Sequence, residues 1–111
     1  MRQVHVTQLQ ADCEALAAQR PVVLDVREDW ELRLATLQLP QAELVHIPMG
    51  QLVARLAELD RERPLRVLCH HGGRSQQCAL FLERQGFADV ANVAGGIDAW
   101  SALIDPAVPR Y

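Results

Sequence analysis

The chain has 111 residues, 50% of them hydrophobic and 23% charged, with a formal net charge of −3. These are the values of a single soluble globular domain able to close a core without staples, and the slight acidity argues against a nucleic-acid or acidic-membrane partner, since both require a basic face. No apolar run nears the roughly 18 residues of a membrane span, and the opening Met1-Arg2-Gln3-Val4-His5 lacks the apolar stretch of a leader, so a cytoplasmic location is expected.

In chain order, Val4-His5-Val6 is the first strand. Thr7, with Gln10 three residues on, reads as a capping box for a helix over residues 7–20 with Leu9, Cys13, Leu16 and Ala17 on its inner face, ended by Pro21. Residues 22–26 are apolar without alternation apart from Asp25, the pattern of a strand buried on both faces of a parallel sheet. A short helical turn follows over residues 27–34, on which Arg27 and Glu31 are spaced to pair. Residues 35–43 are an irregular connection, and 44–47 a third strand stopped by Pro48. Residues 51–61 read as a helix with Leu52, Leu56 and Leu59 inward, ended near Pro64. Residues 65–68 are the fourth strand, and a helix starting at Ser75 runs to Gln85, with Gly86 as its C′ residue. Residues 89–93 are the fifth strand, Gly95-Gly96 a turn and 97–103 the last helix. The tail, residues 105–111, carries two prolines and is expected to lie extended on the surface.

This alternation of strands and helices predicts a parallel α/β sheet covered by helices on both faces. With right-handed crossovers the strand C-termini share one edge, where such folds bind ligands. Residues 25–27, Cys69 and residues 94–96 all fall there.

At that edge stands Cys69-His70-His71-Gly72-Gly73-Arg74-Ser75. A thiol at a strand end, a glycine-bearing turn and a helix start bring backbone N–H groups and a positive helix end onto one atom. Arg74 adds a fixed charge, and Ser75 is suited to cap the helix. Such surroundings lower a cysteine pKa and cradle an anion on it or beside it. The three cysteines, Cys13, Cys69 and Cys78, include no C-x-x-C pair, so neither a disulfide framework nor a zinc site is expected. Cys69 is the candidate nucleophile, and Cys13 is a core thiol. Cys78 also lies on an apolar face, with a resolving role toward Cys69 as its alternative.

The loop, with Val23-Leu24-Asp25-Val26-Arg27-Glu28 upstream and Val93-Ala94-Gly95-Gly96-Ile97-Asp98-Ala99-Trp100 downstream, resembles a single-domain rhodanese of the thiosulfate sulfurtransferase type. The resemblance covers nearly the whole chain and implies a three-layer fold around a five-stranded parallel sheet. It also implies a sulfurtransferase in which Cys69 takes sulfane sulfur from a donor such as thiosulfate. The resulting persulfide passes its sulfur to an acceptor such as cyanide, a thiol or a protein sulfur carrier. His70, His71, Gly72, Gly73, Arg74 and Ser75 would form the substrate-binding loop, with Asp25 and Arg27 in support and no metal or separate cofactor. Two rivals share the loop. Cell-cycle dual-specificity phosphatases, similar in fold, have five residues between cysteine and arginine, and here there are four. The same loop would serve an arsenate reductase, and some rhodanese-like domains are non-catalytic docking or regulatory modules. The sequence departs from the family at residues 34–42, where its usual Gly-His-Ile-x-Gly-Ala pattern is missing.

Asp25, a carboxylate in an apolar strand, needs a partner and is expected to anchor a loop or pair with an arginine. Arg74 has two open roles, orienting a sulfonate-bearing donor or buttressing the loop. His70 and His71 either tune Cys69 and meet the donor or point to solvent. His5 and His46 read as structural, and Trp30 and Trp100 as packing residues, with Trp100 a candidate wall of the pocket.

Overall fold

Five short runs rich in valine and leucine form the sheet: β1 (Arg2–His5), β2 (Val22–Asp25), β3 (Glu43–His46), β4 (Leu65–Leu68) and β5 (Val90–Ala94). In the computed structural model, which describes Met1–Tyr111, their order is β1-β5-β4-β2-β3 and every pairing is parallel. The helices are α1 (Val6–Ala15), α2 (Asp29–Leu34), α3 (Gly73–Arg84) and α4 (Gly96–Leu103). No helix is long and apolar enough to cross a membrane.

Because successive strand residues face opposite ways, the central strands feed two cores. Val23, Leu68, Ala91 and Val93 pack with Leu9 and Cys13 of α1 and Ile97 and Trp100 of α4. Val22, Leu24, Leu65, Val67 and Val90 pack with Cys78, Ala79 and Leu82 of α3. This is the expected three-layer arrangement. It brings Asp25, Leu68 and Ala94 to one edge, with Cys69 just beyond β4.

Several local expectations are corrected. Helix α1 begins one residue before Thr7, and its N-cap is His5, whose Nδ1 accepts from the Thr7 N–H at 3.3 Å. The helix ends at Ala15, and a 3₁₀ turn (Ala17–Gln19) with Arg20 in the left-handed region leads to Pro21. Residues 51–61 are not a helix but two 3₁₀ turns, Met49–Gln51 and Leu56–Glu58. Only Leu52 of the three leucines is fully buried, and Val53 is 73% exposed. Leu56 and Leu59 pack against the α3-side core only half-buried, and a short α-helix there gains too little burial to recover its nucleation cost. The departure at residues 34–42 has a packing reason. Ala35, Leu37 and Leu39 alternate inward and fill the core beneath α1 and α4. The tail does not stay on the surface: Val108 is buried in that same core, and Tyr111 turns back toward the strand edge. Gly86, as expected, follows the α3 C-cap Gln85 with φ +89°.

One buried charge ties the sheet to α1. Arg66 of β4 has no exposed surface, and its guanidinium donates to Asp12 at 2.6 and 3.2 Å and to Asp89 at 2.9 Å. Removing one member of such a pair strands the others. Arg66→Ala should therefore lower stability by about 3 kcal/mol in denaturant unfolding, with little loss on an Asp89→Asn exchange at the more exposed end.

Candidate active site

Cys69 leaves β4 at the sheet edge with its sulfur almost wholly enclosed. Its Sγ accepts from the Gly72 N–H at 3.0 Å and lies 3.2 Å from the Ser75 hydroxyl. The turn that makes this possible has Gly72 at φ +112°, a conformation glycine adopts without strain. Helix α3 starts at Gly73 rather than Ser75. Ser75 is thus inside the first turn, fully buried, with its hydroxyl aimed at the sulfur and at Asn92 rather than capping the helix end.

The loop is held from outside by backbone. The carbonyls of Cys69 and His70 accept from the N–H groups of Ile97 and Asp98, each at 3.0 Å. A Cβ on Gly96 would stand 2.3 Å from the His70 oxygen, so only glycine lets the two loops lie this close. The turn at residues 95–96 is therefore the clamp of the cysteine loop.

Behind the loop runs a network of three carboxylate–guanidinium pairs. Arg27, fully buried, donates through Nε and Nη2 to Asp25 at 2.7–3.1 Å and through Nη2 to the Ala35 carbonyl at 3.0 Å. Asp25 therefore pairs with an arginine, as expected. Arg27 and Glu31 do not pair through their side chains: Glu31 turns instead to Arg74, which grips it with two bonds of 2.7 and 2.8 Å. Arg110 pairs with Asp98 at the rim. Of the two roles open to Arg74, the geometry is that of the buttress, because its fork is filled by Glu31.

Tyr111 closes the network. Its hydroxyl donates to Glu31 at 2.7 Å and accepts from Arg27 at 2.9 Å. Burial, with Glu31 as acceptor, pushes the phenol up to about 12, so it keeps its proton. Its ring stacks on His70 at 4.0 Å and 5°. His70 thus does not face solvent. Burial and the neighbouring His71 lower its pKa and keep it neutral. His71 is exposed. Trp100 lies in the core below and does not wall the pocket. Trp30, 55% exposed, is not a core residue but meets Tyr111 edge-on.

The sequence matches the family described as "Rhodanese-like domain" over residues 6–103. The chain belongs to the rhodanese-like domain family. It is 36% identical over 89 residues to the thiosulfate sulfurtransferase GlpE of Pseudomonas savastanoi pv. phaseolicola, covering 80% of each chain. It is also 39% identical over 93 residues to the Rhodanese-like/PpiC domain-containing protein 12, chloroplastic, of Arabidopsis thaliana, but spans only 30% of that protein's length. Among solved structures, a rhodanese-related protein from Thermoplasma volcanium superposes with a TM-score of 0.79 at 28% identity, covering 100% of both chains.

This rhodanese-like domain has two further thiols, both in its cores. Burial pushes both Cys13 and Cys78 up to about 11, the character of core thiols. Three residues of the site were not singled out in the sequence as such: Glu31, Asn92 and Tyr111. Asn92 had a signal, being an amide inside an apolar strand, which like Asp25 must find partners when buried. Tyr111 had none, since its position depends on the path of the tail.

Two outcomes test the network. The bonds from Arg74 above all hold the Glu31 carboxyl at about 2, against an ordinary 4.5. A depressed carboxylate pKa contributes stability that is present above the ordinary value and lost as pH falls through the folded one. Unfolding measured from pH 7 downward should show a loss of up to about 3 kcal/mol between roughly pH 4.5 and 2, and Glu31→Gln should flatten that step. Tyr111→Phe removes both hydroxyl bonds and keeps the stack, and should cost about 1–2 kcal/mol by thermal unfolding, with Tyr111→Ala costing more.

Proposed function

We propose that this chain is a sulfurtransferase that carries sulfur as a persulfide on Cys69. The observation that carries the reading is a sulfur at a strand end facing a backbone N–H and a hydroxyl, with the nearby guanidinium of Arg74 committed to Glu31. Donors of this kind stabilise a compact anionic sulfur without side-chain bulk. The names of relatives, thiosulfate sulfurtransferase among them, support sulfur transfer of the rhodanese type.

In the first step the Cys69 thiolate attacks the outer sulfur of a donor such as thiosulfate. The donor's S–S bond breaks, sulfite leaves with the electron pair, and Cys69 becomes a persulfide. In the second, an acceptor such as cyanide or a thiol attacks the terminal sulfur and the thiolate leaves, ready for another round. Splitting one transfer into two displacements is covalent catalysis, and neither step needs an outside oxidant or a separate cofactor. His70, Gly72, Gly73 and Ser75 shape the sulfur's seat, Arg74 with Glu31 holds the loop, and Asp25 with Arg27 fixes α2 beside it. His71, exposed at the rim, meets the incoming donor.

The phosphatase and arsenate-reductase readings require a guanidinium that clamps an oxyanion bidentately, and here both Nη atoms of Arg74 bond Glu31. Treatment with thiosulfate should add the mass of one sulfur to the Cys69 peptide, removable by cyanide with thiocyanate released, and Cys69→Ser should abolish both. Turnover retained in Cys69→Ser, or no adduct on Cys69, overturns the mechanism. Absence of turnover in the intact protein would point to a docking module.

A further inference from the structure

Asn92 lies in the middle of β5, on the face turned toward α3, and is buried. Its side chain reaches both residues that bond the Cys69 sulfur. Its Nδ2 donates to the Gly72 carbonyl at 3.3 Å and to Gln3 Oε1 at 2.8 Å, while its Oδ1 lies 2.5 Å from the Ser75 hydroxyl. The Gly72 carbonyl can only accept, so the amide nitrogen must face it, and the amide oxygen is thereby turned to Ser75.

Ser75 then has two acceptors and one proton. Toward Asn92 the distance is 2.5 Å, and toward Cys69 Sγ it is 3.2 Å. When Cys69 is a neutral thiol it needs an acceptor, and Ser75 can serve only by donating elsewhere. When Cys69 is an anion it needs donors, and Ser75 can serve only by leaving Asn92. We propose that Ser75 is a two-position hydroxyl switch set by Asn92: in the thiol form the chain runs Cys69 S–H to Ser75 Oγ to Asn92 Oδ1, and in the thiolate or persulfide form the Ser75 hydroxyl rotates to donate to sulfur. Asn92 is a positioning residue that never meets substrate. By competing for the Ser75 proton it holds back the ionisation of Cys69 and keeps the resting thiol less reactive than the loop amides alone would make it. The rotation breaks no covalent bond, and the thiol proton leaves to solvent or to the donor's leaving group.

The titratable groups of the site are Arg74 and Cys78 of α3, Glu31 of α2 on Arg74, Asp25 and Arg27 at the β2 edge, His70 and His71 of the loop, Asp98 of α4, and Tyr111. None of these bonds Ser75 or Asn92, so a double-mutant cycle on the latter pair isolates the switch.

The proposal rests on Cys69 being the ionising thiol of the site, but it is read by ionisation and not by turnover, so it can fail or hold independently of sulfur transfer. The rate of iodoacetamide alkylation at the Cys69 peptide is followed against pH in folded protein. Ser75→Ala should raise the apparent pKa, and Asn92→Leu, which removes the rival acceptor, should lower it by roughly half a unit to one unit. Adding Asn92→Leu to Ser75→Ala should then change nothing. A rise in Asn92→Leu, or a shift that survives in the Ser75→Ala background, means Asn92 acts through Gly72 or the fold and overturns the switch. A second measurement needs no Asn92 variant. In the unsubstituted protein the carbon resonance of the Asn92 side-chain carbonyl should move as Cys69 ionises and stay still in Ser75→Ala. A resonance that does not follow Cys69 ionisation overturns the proposal.

Discussion

The site depends on two loops lying backbone to backbone. The Cys69 and His70 carbonyls are the last acceptors of their strand end, and the amides of Ile97 and Asp98 are unpaired donors at a helix start. Each satisfies the other's orphan groups, which would otherwise be buried without partners. The approach is possible because residue 96 has no side chain and sits at φ +62°. With its carbonyls held from one side, the loop turns the Gly72 N–H to the other, where the sulfur is.

Electrostatics completes the seat without aiming a side-chain cation at the sulfur. Arg27, Arg74 and Arg110 are each matched to a carboxylate, Asp25, Glu31 and Asp98. The first two pairs share Tyr111, whose hydroxyl passes between Glu31 and Arg27. The network is a frame: it joins α2, α3 and the tail by geometry, while the Cys69 sulfur itself meets a backbone N–H and a hydroxyl. In the proposed sulfur transfer such short-range dipoles would stabilise a Cys69 thiolate without side-chain bulk.

Much of this was legible in the residues. Apolar runs without alternation marked the buried parallel strands, and the Cys69 loop announced itself by a thiol followed by two glycines before a helix. Asp25 was readable as a carboxylate in need of an arginine. Local detail failed where packing overrode pattern. The leucines at 52, 56 and 59 have helical spacing, yet only the first is fully buried while the other two pack half-buried against the core, and the segment folds as 3₁₀ turns. Thr7 and Gln10 match a capping box, but the strand ends early enough for His5 to take the cap.

By itself the sequence determined the alternation of strands and helices and the strand edge at which the Cys69 loop stands, because those follow from nearest-neighbour periodicity and turn chemistry. Only the tertiary structure decided which carboxylate meets which guanidinium, that the tail returns to set Tyr111 on His70, and that Asn92 stands behind Ser75. Those pairings join residues far apart in the chain, such as Glu31 with Arg74 and Arg27 with Tyr111. They are chosen by burial, where a polar group must bond whatever the fold brings within reach.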